Sequence, residues 1–248
     1  MNGRFPSTNW TLVASAAREP AASASGRGAD PLAELCDRYW RPVCAYLRQR
    51  GHRAEEAEDL TQGFFVHLLS KRVLQQAQPE RGRLRSLILA CLTNFVANEQ
   101  THTRAQKRGG GIAALRLDGA ADGRMPLAEP SDGLTPETIY ERQWAITLLR
   151  HVLDELRGEL ARAGKAHVFD ALKLYLIGDS GHAGYRHAAE ALHTTEGNAR
   201  VTVHRLRRRY RQILAAEIGR TLHGPSADVE DEIRYLFAVM QRQSRRAS

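Results

Sequence analysis

Apolar residues recur every three or four positions along most of the 248-residue chain, and no segment alternates apolar and polar residues over the length of a strand. The first such stripe contains Leu32, Leu35, Tyr39, Val43 and Leu47. A spacing of three and four places side chains on one face of an α-helix, whereas a half-buried strand needs a spacing of two. The sequence therefore predicts an all-α protein in which each helix buries one apolar stripe.

Start and stop signals divide residues 30–108 into three helices. Asp30 and Pro31 supply an N-cap and a proline at the first helical position, and Gly51 ends that helix. The second helix lies in AEEAEDLTQGFFVHLLSKRVL, and the third follows the turn at Pro79. Three helices with short connections predict one compact bundle.

A segment rich in glycine, alanine, aspartate and proline separates this bundle from a second helical region. It begins with three glycines and contains few large apolar residues, so it cannot bury enough surface to fold and we expect a flexible linker. Thr135 and Pro136 then repeat the cap-and-proline start. The predicted divisions are an N-terminal extension at 1–29, a first domain at 30–108, the linker at 109–134, a second domain at 135–224 and a C-terminal extension at 225–248.

The second region contains a short helix, a tight turn and a longer helix, within GYRHAAEALHTTEGNARVTVHRLRRRYRQIL. This order is typical of a helix-turn-helix, whose second helix lies in the major groove of DNA. We expect Thr195 to cap the longer helix, and we expect His193 to adopt the positive φ that such turns favour. The polar side chains near the start of the longer helix are candidates to contact base edges: Glu196, Asn198, Arg200 and Thr202.

Six arginines lie on this helix between residues 200 and 211, and they repel one another unless an anion neutralises them. DNA phosphates are such anions, and contacts to them supply affinity without sequence preference. The phosphate-binding candidates are Arg205, Arg207, Arg208, Arg209 and Arg211. The alternative is a solvated basic face that has no DNA partner.

The whole chain also carries an excess of positive charge, with a net charge of +8 at pH 7. Such a charge favours nucleic acid or an acidic surface as the partner. No apolar run approaches the roughly 18 residues that a membrane span needs, so we expect no membrane association. The three cysteines, Cys36, Cys44 and Cys91, show no metal-ligand spacing, which indicates reduced core residues in a cytoplasmic protein without a metal cofactor.

The segment AEEAEDLTQGFFVHLL resembles the helix by which sigma factors of RNA polymerase bind the core enzyme. In that family an acidic pair, a leucine, one further residue and a glutamine lead into aromatic or aliphatic residues. Here these positions hold Glu58, Asp59, Leu60, Gln62 and Phe65. The order of segments along the chain is similar to that of the extracytoplasmic-function (ECF) sigma factors, and the similarity covers roughly residues 30–110 and 140–216.

The resemblance implies a transcription subunit rather than an enzyme, with no cofactor. Core RNA polymerase and promoter DNA would be its partners, with an anti-sigma or other regulatory protein as a further one. The implied core-polymerase contacts are Asp59, Leu60, Gln62 and Phe65. The implied contacts to the −10 element are Arg81, Arg83, Arg85, Asn94, Asn98, Arg104, Lys107 and Arg108. The implied contacts to the −35 element are Thr195, Glu196, Asn198, Arg200, Thr202 and Arg205, joined by Arg207, Arg208 and Arg209 on phosphates.

Two positions depart from the family pattern. Gly63 replaces the acidic residue that is usual after Gln62, and a glycine inside a helix costs about 1 kcal/mol relative to alanine. Phe95 stands alone where primary sigma factors carry a row of aromatic residues that stack on unpaired bases. This second departure is usual in the ECF group, and it implies that polar pockets hold the flipped bases.

Two other functions fit parts of the sequence. The carboxylates of Glu55, Glu56, Glu58 and Asp59 fit the metal cluster of a nuclease, although no histidine or acid elsewhere pairs with them at ligand spacing. Acids in a first helical turn are also ordinary partners of the helix dipole. A repressor or activator that binds its operator without polymerase also fits the helix-turn-helix.

Overall fold

The structure, a computed structural model, describes residues 31–70, 83–106, 133–177, 184–221 and 227–241. Every regular element in these ranges is an α-helix, so the predicted all-α class is confirmed. The N-terminal extension and almost all of the predicted linker lie outside the described residues. The helices are α1 (Pro31–Gln49), α2 (Ala54–Ser70), α3 (Leu84–Gln106), α4 (Pro136–Arg162), α5 (Ala166–Ile177), α6 (Arg186–Ala191), α7 (Glu196–Gly219) and α8 (Ala227–Gln241).

The described residues form two compact units. One unit contains the residues up to Trp144, together with Thr221 and the last residues of α8, and the other contains Ala145–Arg220 with the rest of α8. The first unit thus includes the beginning of α4, whereas the second domain was predicted to begin at residue 135. The beginning of α4 belongs to the first unit because Tyr140 and Trp144 are buried against residues of α3.

Glycine ends α1 at the position that the sequence predicted. Gly51 has φ +94°, its N–H donates to the Arg48 carbonyl over 3.0 Å, and the His52 N–H donates to the Leu47 carbonyl over 3.2 Å. This pair of hydrogen bonds is a Schellman motif, which needs a left-handed residue that glycine adopts without a steric cost. The same motif ends α4 at Gly164, where φ is +71°.

The core of the first unit is formed by apolar stripes on α1, α2 and α3. Phe64 lies at its centre and makes edge contacts with Phe65 and Phe95, at ring-centroid distances of 5.6 and 5.7 Å. Burial raises the pKa of Tyr39 to about 12. The buried stripe residues are Leu35, Tyr39, Val43 and Leu47 on α1, Ala57, Phe64 and Leu68 on α2, and Leu84, Ile88, Leu92 and Val96 on α3.

A buried arginine joins α3 to the start of α4. Arg85 is only 3% exposed, and its guanidinium carbon lies 4.8 Å from the centroid of the Trp144 ring. The Tyr140 hydroxyl donates a hydrogen bond of 3.0 Å to the Arg85 carbonyl. Arg85 was expected to contact −10 DNA, but its side chain faces the interior because the indole ring covers it. We therefore remove Arg85 from the set of DNA contacts.

The second unit packs α5, α6 and α7 against one another. Glu217 of α7 is fully buried and accepts a hydrogen bond from Arg220, one turn further along. The apolar core of the second unit contains buried residues from five helices. They are Val152 and Leu156 of α4, Phe169 and Leu172 of α5, Ala188 and Ala189 of α6, Ala199, Val203, Leu206 and Ile213 of α7, and Ile233 and Leu236 of α8. The buried stripe of α7 leaves the opposite side of that helix to the solvent.

We predict that Tyr140→Phe lowers the free energy of unfolding of the first unit by about 1 kcal/mol at neutral pH, because the hydrogen bond to Arg85 is lost. Burial raises the pKa of Tyr140 well above its usual range. Above about pH 10 the unfolded chain therefore releases the phenol proton while the folded chain keeps it. The free energy of unfolding of the wild type then falls by up to about 1.4 kcal/mol per pH unit.

The stability difference between Tyr140→Phe and the wild type should accordingly narrow and then reverse above about pH 10. Urea unfolding followed by the fluorescence of Trp40 and Trp144 measures it, since both rings belong to the first unit. A difference that stays constant across this pH range would contradict the burial of the Tyr140 phenol.

Candidate functional site

A tight turn connects α6 to α7. His193 has φ +49° and is the one non-glycine residue with a positive φ in the part of the chain that the structure describes. Its N–H donates to the Glu190 carbonyl over 3.2 Å, and the Thr194 N–H donates to the Ala189 carbonyl over 2.9 Å. These bonds again form a Schellman motif, with histidine in the left-handed position. The positive φ predicted for His193 is confirmed.

Thr195 caps α7, as the sequence predicted. Its backbone is extended, and its Oγ1 accepts a hydrogen bond of 3.2 Å from the Asn198 N–H. The Asn198 side-chain amide donates in turn to Thr194 Oγ1 over 3.2 Å. The cap fixes where α7 begins, and the amides of a helix N-terminus attract anions.

The side of α7 opposite its buried stripe is basic and contains one large apolar residue. Val201 lies there and is 48% exposed, which is unusual for a valine. The side chains of Arg205 and Arg208 are exposed on the same side, and they form no hydrogen bond or ion pair with other residues that the structure describes. We call this surface the outer face of α7. Its exposed members are Asn198, Val201, His204, Arg205 and Arg208.

Two arginines on one flank of α7 contact groups from α5 and from the residue before α6. The guanidinium carbon of Arg200 lies 5.5 Å from the centroid of the Tyr185 ring. Arg207 Nε donates a hydrogen bond of 2.9 Å to the carbonyl of Tyr175. These contacts hold both arginine side chains against neighbouring residues of the same unit, although both arginines remain exposed to solvent.

Two further arginines pair with carboxylates of the same unit. Arg209 Nε donates to Glu159 over 2.8 Å, and Nη2 makes a second, shorter hydrogen bond to the same carboxylate. The hydrogen bond from Arg209 lowers the pKa of Glu159. Arg211 Nη2 donates to Glu230 of α8 over 2.7 Å. Arg209 was expected on DNA phosphate, but the structure gives its charge a partner inside the protein.

The remaining predicted −35 residues lie near the start of α7. Glu196 is exposed in the first turn, where an acidic group suits the helix dipole. Thr202 is half-buried, and its hydroxyl donates back to the Asn198 carbonyl over 2.8 Å. The sequence pattern did not predict Val201 or His204 as site residues, because the expected base contacts were polar groups near the start of the helix. The signal for Val201 was an apolar residue that lies outside the apolar stripe.

The predicted polymerase-binding residues on α2 divide into two groups. Asp59 is exposed, and Leu60 and Gln62 are half-buried, so these three reach the surface. Phe65 is only 4% exposed, and its ring stacks on Trp40 with a centroid distance of 6.0 Å and an interplanar angle of 5°. Phe65 was expected to contact core polymerase, whereas the structure buries it in the first unit. We therefore remove Phe65 from the set of surface contacts.

A groove lies between α2 and α3 beside these residues. Val66, at its edge, is 66% exposed and was missed because it lies outside the apolar stripe of α2. A Cβ added to Gly63 would lie 3.6 Å from the Phe95 ring, an ordinary contact distance, so alanine fits there. The groove has an apolar floor and an acidic rim. Its lining residues are Glu56, Asp59, Leu60, Gly63, Val66, His67, Phe95 and Glu99.

The predicted −10 residues are only partly described. Asn94 and Asn98 are exposed one turn apart on α3, and Arg83, which precedes that helix, is half-buried. The side chains of Arg81, Arg104, Lys107 and Arg108 lie outside the described residues. The structure therefore brings together two asparagines on one helical face, while Arg85 faces the interior.

The carboxylates considered for a nuclease do not gather at a metal site. Glu56 instead accepts from His52 Nδ1 over 2.9 Å, and that hydrogen bond lowers the pKa of Glu56. In the ranges that the structure describes, the side chains close enough together to hold a metal are those of His151, Glu155 and Glu217. Glu217 already accepts a hydrogen bond from Arg220, so an arginine supplies the positive charge there.

Comparison with known proteins found no matching family, no matching curated protein and no matching solved structure. None of the described helices combines the length and the apolar character needed to cross a lipid bilayer. Any function assigned to this chain thus rests on its residues and on the two surfaces above.

We predict that His193→Gly stabilises the α6–α7 turn by about 0.5–1 kcal/mol, because glycine adopts a positive φ without the steric cost that a Cβ carries. Hydrogen exchange at the amides of α6 and α7 measures the change, and their protection should increase. His193→Val is the matched control and should decrease protection, because β-branching makes this backbone conformation more costly. Equal exchange in all three proteins would contradict the left-handed conformation of residue 193.

Proposed function

We propose that this chain is a sigma factor that binds core RNA polymerase and directs it to promoters. In this proposal α6 and α7 form a helix-turn-helix for the −35 element, and the first unit binds the polymerase and the −10 element. The observation that carries the proposal is the outer face of α7, where a capped helix presents Arg205, Arg208 and Asn198 away from its buried stripe. The motif on α2 supports the polymerase part.

The outer face of α7 has the chemistry needed to read a major groove. An asparagine side chain pairs with adenine, an apolar group contacts the thymine methyl group, and arginine contacts guanine or phosphate. Asn198 and Val201 lie near the start of the helix, where base edges are met, and Arg208 lies two turns further along. We therefore assign Asn198, Arg200 and Val201 to base contacts, and Arg205 and Arg208 to phosphates.

The surface of α2 fits a protein partner better than DNA. Glu55, Glu58 and Asp59 are exposed there and would repel phosphates, while Val66 adds exposed apolar surface. An apolar patch rimmed by charge is typical of a protein-binding site. We assign Asp59, Gln62 and Val66 to core polymerase. An anti-sigma protein would act by covering the same surface.

The exposed asparagines of α3 suit the −10 element. Asn94 and Asn98 can donate and accept hydrogen bonds to the edges of unpaired bases. Phe95, the aromatic residue between them, is 6% exposed and packs on Phe64, so it does not offer a stacking surface. We propose that polar contacts rather than stacking hold the −10 bases, and that the protein acts in the cytoplasm beside the polymerase.

Reconstitution with core RNA polymerase tests this function. We predict that the purified chain confers specific initiation on core enzyme and that the start sites share −10 and −35 sequences. Asp59→Ala combined with Gln62→Ala should weaken binding to core enzyme while the helical circular dichroism stays unchanged. Asp154→Ala combined with Asp170→Ala is the matched control, since both residues are exposed in the second unit.

A different outcome would identify a repressor or activator. Such a protein binds its operator alone with high specificity and gains nothing from core polymerase. Specific DNA binding by the free chain, with no binding to core enzyme, would therefore replace the sigma proposal.

Arg208 and Arg209 provide a matched pair for the DNA part. We predict that Arg208→Ala weakens binding to all promoters about equally and lowers the log–log salt slope by roughly one. Arg209→Ala should leave that slope close to the wild-type value, because Arg209 is bound to Glu159. It should instead destabilise the second unit by about 0.2–1 kcal/mol, the range for exposed ion pairs. Promoter binding across a salt series and thermal unfolding measure the two effects.

Glu159→Gln separates the two roles further. It should reproduce the loss of stability of Arg209→Ala, since it removes the other partner of the ion pair. If both arginine substitutions lower the salt slope alike, then Arg209 leaves Glu159 for DNA and the division between them is wrong.

A further inference from the structure

Two tyrosines and Arg200 form a column on one flank of α7. The rings of Tyr175, near the end of α5, and Tyr185, just before α6, are stacked with a centroid distance of 5.6 Å and an interplanar angle of 20°. The guanidinium carbon of Arg200 lies over Tyr185 at 5.5 Å from the ring centroid. The column thus joins α5, the start of α6 and the first turns of α7.

A second contact ties the same flank to the column. Arg207 lies seven residues after Arg200, close to two helical turns, so both project from one side of α7. Arg207 Nε donates to the backbone carbonyl of Tyr175. The tyrosine pair therefore contacts α7 at two levels, through Arg200 at the Tyr185 ring and through Arg207 at the Tyr175 carbonyl.

This arrangement matters because an arginine side chain has many rotamers. Ordering a long, flexible side chain on binding costs conformational entropy. An aromatic face that attracts the guanidinium restricts those rotamers before DNA arrives. A guanidinium stacked on a ring keeps its N–H edge available, and that edge is the group that binds guanine with two hydrogen bonds.

We propose that Tyr185 is a positioning residue for base recognition, which holds Arg200 so that its N–H edge meets one base pair of the −35 element. The proposal rests on the function proposed above. Arg200 contacts the base, and Tyr185 acts through Arg200 without touching the DNA. Tyr175 supports Tyr185 by stacking on its ring.

The competing account is that Tyr185 only packs the turn. Substitutions that keep volume and change the ring face separate the two roles. Tyr185→Phe keeps an aromatic face, Tyr185→Leu keeps apolar volume without one, and Arg200→Lys keeps the charge without the planar group. A trifluorinated phenylalanine at position 185 keeps the shape of the ring and weakens its attraction for a cation.

The experiment measures promoter binding by reconstituted holoenzyme on a set of promoters that differ at single −35 base pairs. Arg200→Ala identifies the base pair that Arg200 reads. Tyr185→Leu should reduce discrimination at that same base pair by about two- to fivefold. Tyr185→Phe should keep the wild-type discrimination, and the fluorinated residue should fall between them. Tyr185→Leu combined with Arg200→Ala should discriminate no less than Arg200→Ala alone.

Three outcomes would overturn the positioning role while leaving the sigma function in place. Tyr185→Leu could retain the wild-type preference, or weaken all promoters alike, or still change discrimination when Arg200 is absent. If Tyr185→Leu does not fold, as judged by circular dichroism, the comparison of phenylalanine with its fluorinated form decides, and equal discrimination by the two overturns the role. Wild-type holoenzyme without any −35 preference would overturn the proposed function together with this inference.

Discussion

The repulsion among six arginines within twelve positions of α7 is the constraint that organises the second unit. The structure relieves it with contacts on the flanks of the helix. Arg209 and Arg211 pair with carboxylates, Arg207 with a carbonyl, and Arg200 with an aromatic ring. Arg205 and Arg208 are left on the outer face. Since the four partners lie on α4, α5, α8 and the residue before α6, the same contacts that spread the charge also tie α7 to the neighbouring elements.

Arginine has a second and different role in the first unit. Arg85 is covered by Trp144 on one side, and its carbonyl accepts from Tyr140. Burying a guanidinium is costly unless other groups compensate its charge, and here the Trp144 ring is one such group. The burial of Arg85 therefore explains why the beginning of α4 belongs to the first unit, although its sequence looks like the start of a new domain.

The sequence could predict the features that depend on neighbours along the chain. Gly51 ends α1, Thr195 caps α7 and His193 takes a positive φ because each is fixed by hydrogen bonds within five residues. It could not predict the features that depend on distant residues. Arg209 donates a hydrogen bond to Glu159, fifty positions away, and Phe65 stacks on Trp40 of another helix. The arginine spacing on α7 predicted an anion-binding helix, but only the fold determines which arginines already have partners.

The pairing of Arg209 with Glu159 also determines over what pH range α7 keeps its flank contact to α4. The hydrogen bond lowers the pKa of Glu159 below that of an unfolded glutamate. The ion pair thus contributes its full stability above the unfolded pKa of about 4.3, and loses it only as the pH falls through the lower folded pKa. Arg209 keeps its positive charge throughout this range. The Arg209–Glu159 ion pair on the flank of α7 therefore stays intact under neutral and mildly acidic conditions. The phosphate contacts that we propose for Arg205 and Arg208 on the outer face depend instead on the salt concentration.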